Sequence, residues 1–179
     1  MLKKSVPRYL LLGICVFLIW QILSVCILEE NRIVEANDAR ESEFASFEFL
    51  ILEKINSERR ANNLLPLAND ALLAKTAKQK SQDMIARNYF SHRNPEGNFV
   101  WNLLEKNGYK YKYAGENLAR NFSDAKSIVD AWMQSATHRK NILEENFSEI
   151  GISVEKITKN GKDYFYVTAI FGAKRSSLF

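Results

Sequence analysis

IGISVEKITKNGKDYFYVTAIF, residues 150–171, is the stretch that decides the fold of this chain. Two segments rich in β-branched and aromatic residues, Ile150–Ile157 and Tyr164–Phe171, flank the pair Asn160-Gly161. Asn-Gly between two such segments is the strongest short-range signal for a β-hairpin, because both residues accept the positive φ angles of a tight turn. Since the strands mix aromatic and β-branched residues, we expect helices to cover at least one face of the sheet.

Helical patterns precede this hairpin. Apolar residues recur at helical spacing, and polar or turn-forming residues mark the helix ends. The predicted helices are one from Phe44 closed by the polar run 56–63, one capped by Asn69-Asp70 and running to about Arg87, a short one around Leu103, and Ser123–Ser135. Tyr109, Tyr111 and Tyr113 alternate with lysines, which predicts a half-buried strand. Helices followed by an antiparallel sheet indicate an α+β fold, with helices packed on a small antiparallel sheet.

The N-terminal 28 residues predict a membrane anchor. Lys3, Lys4 and Arg8 precede Tyr9–Leu28, a largely apolar run of 20 residues. A membrane-spanning helix needs about 20 such residues. Positive charge before the run and acidic residues after it predict a cytoplasmic N-terminus, with the rest of the chain outside.

Other interpretations of the N-terminus stay open. A cleaved signal peptide has a shorter apolar region and a small-residue cleavage site, and no Ala-x-Ala follows here. Leu23-Ser24-Val25-Cys26 resembles a loose bacterial lipoprotein signal, in which the cysteine carries the lipid. Anchor, signal and lipoprotein all place the domain outside the cytoplasmic membrane, at the cell surface or in the periplasm.

The composition of the rest of the chain indicates how it is divided into segments and which chemistry it lacks. Residues 29–43 are highly charged and predict an exposed linker, followed by one domain at 44–173 and a tail at 174–179. Both cysteines, Cys15 and Cys26, lie in the apolar segment, so the domain has neither a disulfide nor a thiol nucleophile.

Three of the 25 Lys and Arg residues precede the apolar run, which leaves 22 basic residues against 21 acidic residues in the rest of the chain. This balance argues against a nucleic acid partner, and Arg59-Arg60 is expected on a solvated face.

The chain has two histidines, and both lie in short polar motifs. His92 follows Phe90-Ser91, and His138 follows the predicted helix Ser123–Ser135. Glu116, in Gly115-Glu116-Asn117, comes at the end of the predicted tyrosine strand. Imidazole binds metals and moves protons near neutral pH. His92, Glu116 and His138 are therefore the candidate site residues, if the fold brings them together.

Several chemistries fit these three side chains. Two imidazoles and a carboxylate can ligate a divalent metal such as zinc and leave one position for water. They can also form a metal-free proton-transfer site. A serine hydrolase would need a base, an orienting acid and an oxyanion hole, and no G-x-S-x-G elbow is present. We assign no catalytic residue at this point.

Several motifs, in order along the chain, resemble the CAP superfamily of cysteine-rich secretory, antigen 5 and pathogenesis-related proteins, also called the SCP domain. The motifs are Phe90-Ser91-His92, Gly115-Glu116-Asn117, Trp132-Met133-x-Ser135-x-x-His138-Arg139-x-Asn141-Ile142-Leu143, Glu149-Ile150-Gly151 and Phe171-Gly172. The resemblance runs from about Phe47 to Gly172. The lack of cysteines in this region is similar to the bacterial branch.

The resemblance implies an α-β-α sandwich with a central cleft lined by two histidines and two acids, where some members bind zinc or another divalent ion. His92, His138 and Glu116 match three of these positions. The fourth position holds Phe99, and Glu96 is the nearby alternative. The family includes modules that bind sterols or fatty acids, adhesive proteins and occasional proteases.

The expected function is therefore that of a membrane-tethered, extracytoplasmic domain that binds a small-molecule, lipid or protein ligand, with or without a divalent metal. The membrane contact would run through the N-terminal helix or a lipidated Cys26. A hydrolase acting on envelope peptides and a non-catalytic adhesive or structural module are the alternatives.

Overall fold

The computed structural model describes residues 8–122 and 124–175. Within them the helices are α1 (Arg8–Ala61), α2 (Ala71–Ala86), α3 (Trp101–Lys106), α4 (Ala125–Gln134) and α5 (Ala136–Ile142). The strands are β1 (Ala68–Asn69), β2 (Tyr111–Arg120), β3 (Glu149–Lys159) and β4 (Lys162–Lys174). The chain divides into two compact units, Met1–Glu43 and Phe44–Phe179.

In the first unit the described residues belong to α1. Residues 29–43 are exposed, and their backbone is helical, which the sequence analysis did not predict. Glu, Arg and Ala are frequent in this segment and favour helix. Residues 1–7 of the predicted anchor, with the side chains of residues 8–19 and 22, lie outside the described part. In what is described, no helix combines the length and apolar character that a membrane crossing needs.

The second unit contains the predicted hairpin, which is confirmed. β3 and β4 pair antiparallel, and the ladder closes at Lys159 and Lys162 around Asn160 and Gly161, which have φ angles of 54° and 71°. The sheet order is β1-β3-β4-β2. β1 pairs parallel with β3 over two residues, and the sequence analysis missed it because so short a strand leaves no periodic pattern.

Helices cover both faces of this sheet. Along β4, Val167, Ala169 and Phe171 pack on one side in a core shared with α1, α4 and α5. Ile170 and Tyr166 belong to clusters on the other side, where α2 and α3 contribute the helical residues. The predicted α+β class and α-β-α sandwich are therefore confirmed. Coverage of both faces explains why β4 is apolar almost throughout.

The contact between α2 and the sheet is closest at Gly151. A Cβ atom on Gly151 would lie 2.0 Å from the backbone nitrogen of Ala74 and 2.1 Å from the carbonyl carbon of Leu73. Any side chain here would force the helix backbone away from the strand. Asp70 starts α2 as predicted, because its carboxylate accepts hydrogen bonds from the amides of Leu72 and Leu73.

Two local predictions need correction. Glu116 does not end a short tyrosine strand, because β2 continues to Arg120 and pairs with β4 along that length. The alternating pattern stops at Tyr113 because both faces of the sheet are covered beyond that point. The predicted cap Ser123 lies outside the described residues, and the carboxylate of Asp124 caps α4 by accepting from the amide of Ser127.

Arg59 is buried rather than solvated, which corrects a third expectation. Its side chain is 1% exposed, and its guanidinium donates to four backbone carbonyls. The acceptors are Leu65 (2.8 Å), Ile142 (2.8 Å), Glu144 (2.9 Å) and Phe147 (3.1 Å). Only a planar fork with several donors can satisfy carbonyls from separate segments at once. Arg59 thus ties the end of α1 to the segment between α5 and β3.

Replacement of Arg59 by lysine should destabilise the domain strongly. Lysine keeps the charge but offers three donors from one point, so buried carbonyls lose their partners. We expect a loss of about 3 kcal/mol in the free energy of unfolding. Arg60→Lys is the matched control, because Arg60 is 52% exposed and makes only a long ion pair with Glu53. Urea titration followed by circular dichroism measures both, and equal midpoints for the two variants would contradict this account.

Candidate functional site

His92 and Glu116 lie in direct contact. The Nδ1 atom of His92 is 2.6 Å from Oε1 of Glu116. The carboxylate comes from the middle of β2 and is 3% exposed, whereas the imidazole comes from the loop after α2 and is 48% exposed. A buried carboxylate that holds one ring nitrogen fixes the orientation of the imidazole and leaves Nε2 for a ligand, a metal ion or a proton.

Two asparagines connect Glu116 to the helix that carries His138. The buried side chain of Asn117 donates to the backbone carbonyl of His138 (3.0 Å). Asn141 donates to the Asn117 side-chain oxygen (2.8 Å) and to the Glu116 carbonyl (3.1 Å). We call this set of bonds the asparagine clasp. It positions β2 against α5 and gives the side chains of Asn117 and Asn141 a structural role.

Gly115 lets the clasp form. A Cβ atom at this position would lie 2.9 Å from the side-chain oxygen of Asn141 and 2.9 Å from the ring of Phe147. Each residue of the Gly-Glu-Asn motif therefore has its own role. The glycine leaves room for the side chains of Asn141 and Phe147, the carboxylate contacts His92, and the asparagine amide bonds to α5.

His138 is half-buried on α5. Burial lowers the pKa of its imidazole below the ordinary value of 6.5, and the charge of His92 lowers it further. His138 is therefore mainly neutral at pH 7, which is the form that accepts a proton or ligates a metal.

Lys80 is a site residue that the sequence analysis missed. It is 4% exposed, and its ammonium donates to the His92 carbonyl (3.2 Å) and to the Tyr89 hydroxyl (3.2 Å). Burial lowers its pKa, and the negative charges of Glu116 and Asp83 oppose that effect. A signal existed, because Lys80 lies on the same stripe of α2 as the buried Leu73, Ala77 and Met84.

Glu96 lies in a different setting from Glu116. It forms a two-pronged ion pair with the guanidinium of Arg87 at the surface. No group of three or more His, Cys, Asp and Glu side chains within residues 8–122 and 124–175 is arranged to hold a metal ion. The predicted ligand set of His92, His138 and Glu116 stays a prediction. One observation fits a cation, because Oε2 of Glu116 is buried and has no hydrogen-bond partner in the described chain.

His138 should titrate below the ordinary range of histidine. In metal-free protein at several pH values, we expect the His138 ring proton signals in an NMR spectrum to titrate below pH 6.5, because burial disfavours the charged ring. His92→Asn should raise the His138 pKa only in part, since burial is the larger cause. As pH falls, the unfolded chain protonates His138 at a higher pH than the folded chain does. The free energy of unfolding should therefore decrease as pH falls below about 6.5.

With only two histidines, the variants His92→Asn and His138→Asn assign the signals unambiguously. A His138 that titrates at or above 6.5 in the wild-type chain would show that its ring is not buried as described.

The sequence pattern of the cysteine-rich secretory protein family, CAP, matches residues 52–171. YkwD of Bacillus subtilis is 41% identical over 111 residues, which is 62% of this chain and 43% of YkwD. YlbC of the same organism, whose name describes it as a membrane protein, is 33% identical over 106 residues, or 59% of this chain and 31% of YlbC. The chain thus spans less than half the length of these relatives.

Solved structures show the same fold. An extracellular SCP-domain protein of Bacillus anthracis superposes with a TM-score of 0.64 at 33% identity, covering 73% of this chain and 41% of that one. A cysteine-rich secretory protein of Staphylococcus aureus gives 0.58 at 25% identity, covering 73% and 40%. An outer surface protein of Borrelia burgdorferi gives 0.60 at 21% identity, covering 69% and 90%, and supports the fold alone. With the motifs around His92, Glu116 and His138 on one sandwich, this chain belongs to the CAP family, in its bacterial branch.

Proposed function

We propose that this protein is a membrane-tethered, extracytoplasmic CAP domain that binds a ligand at His92, Glu116 and His138. The contact between His92 and the buried carboxylate of Glu116 is the observation that carries the proposal. A buried carboxylate with one unpartnered oxygen costs stability, and functional sites are where such costs are retained.

A divalent metal ion is part of this proposal. His92 and His138 would hold it through ring nitrogens, while Glu116 orients His92 from behind or ligates through Oε2. When bound, such an ion supplies Lewis-acid polarisation of a ligand oxygen. Lys80 holds the backbone of the His92 loop, and Glu116 orients the His92 ring.

The same pair favours a second candidate function, hydrolysis of envelope peptides. An imidazole oriented by a carboxylate is the arrangement of a general base. In the described chain neither imidazole bonds to a serine or threonine hydroxyl, so the nucleophile would be water. Peptide turnover that is lost in the His92 variant would identify a hydrolase; ligand binding without turnover would identify a binding module.

The tether is proposed from the sequence. The apolar run Tyr9–Leu28 has the length of a span, and a relative carries a membrane protein name. Extracellular placement is supported by the Bacillus anthracis structure, whose name describes an extracellular protein.

Zinc titration tests the metal component. Isothermal calorimetry on the full chain in nanodiscs should show binding that disappears in the double variant His92→Ala/His138→Ala. Glu116→Gln should weaken binding about 10–100-fold, because it removes the carboxylate that orients the imidazole. Affinity should also fall as pH drops below about 6.5, since imidazole binds metal only when deprotonated.

Glu96→Gln is the matched control, because it removes an acid that pairs with Arg87 away from Glu116. Equal affinity for the double variant and the wild-type chain would remove the metal from the proposed function. A double variant that folds and still binds the natural partner would favour an adhesive module.

The mass of the mature chain isolated from cells tests the tether. An uncleaved anchor should give the full-length mass in the membrane fraction. A mass that corresponds to a chain starting at Cys26 with an added lipid would show that the protein is a lipoprotein rather than a protein with an uncleaved anchor. A shorter chain without lipid in the soluble fraction would contradict tethering.

A further inference from the structure

A cavity lies next to the His92 loop and shares Lys80 with the candidate site. It has a volume of about 420 Å³, opens to solvent and is lined by residues of α2, the segment 94–100 and α3, with Tyr89. None of His92, Glu116 and His138 lines it. Cavities of roughly 300–1,000 Å³ are the size that binds small molecules.

Side-chain amides make up four of the eight polar residues that line this cavity. Gln79, Asn94, Asn98 and Asn102 all line it. The Oε1 atom of Gln79 accepts from Asn107, and Oδ1 of Asn94 accepts from the amide of Asn98. The exposed side chains of Asn98 and Asn102 bond to nothing within the described chain. Each amide offers both donors and an acceptor, so the wall suits groups that donate and accept as well.

The ammonium of Lys80, which lines the cavity, is held in place by hydrogen bonds. Lys80 donates to Tyr89, and the Tyr89 hydroxyl donates to the carboxylate of Asp83 (2.5 Å). The ammonium has three hydrogens, and the bonds to Tyr89 and to the His92 carbonyl use two of them. The third is left for a ligand. Because these partners already hold Lys80, little entropy is lost when a ligand binds to it.

Three apolar side chains also line the cavity, those of Phe99, Val100 and Leu103. The Phe99 ring is fixed in place, since the guanidinium of Arg93 lies 3.8 Å from its centroid and the ring of Trp101 stacks near it at 6.3 Å. Amide and apolar side chains therefore line the cavity together.

We propose that this cavity binds an N-acetylated amino sugar, as a short oligosaccharide. Hydroxyl and acetamido groups donate and accept together, which matches the amides and the third hydrogen of Lys80. The C–H face of a sugar ring matches the wall around Phe99. A fatty acyl chain would bury the amides and the ammonium without partners. A phosphate would meet the carboxylate of Asp83 and only two lysines, Lys80 and Lys106. The three proposed metal-site residues do not line this cavity, although Lys80 contacts both regions.

Calorimetric titration of the full chain in nanodiscs with tri-N-acetylchitotriose tests the proposal, with EDTA present. We expect saturable binding that Phe99→Ala and Asn102→Ala each weaken by about tenfold, the value of one good contact. Both side chains are solvent-accessible, and circular dichroism checks that the variants fold. Leu65→Ala is the control, since Leu65 is exposed in a different crevice.

The double variant His92→Ala/His138→Ala should bind the trisaccharide normally, which separates this site from the proposed metal function. No heat of binding up to the solubility limit of the sugar, or binding that neither variant weakens, would overturn the proposal. Equal affinity for maltotriose, which has no acetamido groups, would overturn the assignment to amino sugars.

Discussion

The asparagine clasp is the interaction on which the site depends. Glu116 and His138 are far apart in sequence and lie on a strand and a helix that could otherwise settle in many relative positions. The buried amide of Asn117 has to find partners, because an unsatisfied amide costs roughly 1–3 kcal/mol. It finds them in the His138 carbonyl and in Asn141. The need to satisfy one buried amide therefore sets the position of β2 against α5.

Lys80 links two regions that have different chemistry. Its bond to the His92 carbonyl holds the loop of the candidate site, and its bond to Tyr89 forms the back of the amide-lined cavity. A buried ammonium is tolerated here because Glu116 and Asp83 provide opposite charge nearby. A ligand that contacts Lys80 would thus reach the loop that carries His92 without touching its ring.

Local sequence signals predicted the parts of the fold that local interactions determine. Asn160-Gly161 and Asp70 act through their own backbone neighbours, so the hairpin and the start of α2 were predictable. The burial of Arg59 was not, because three of its four acceptors come from a segment more than 80 residues away. The sequence also indicated the candidate residues of the site, because they lie in local motifs. The place of Lys80 and the roles of Asn117 and Asn141 depend on contacts between distant segments, so only the packed structure showed them.

The contact at Gly151 has a consequence for how chain length can vary in such domains. β1 ends at Asn69, a single residue caps the helix, and α2 then lies on the strand with no room for a methyl group. One inserted residue in this connection would rotate α2 by about 100° and drive a side chain into β3. Insertions and deletions should therefore collect in the loop that carries His92 and at the hairpin tip. Ligand preference could then diversify while the framework of the sandwich stays the same.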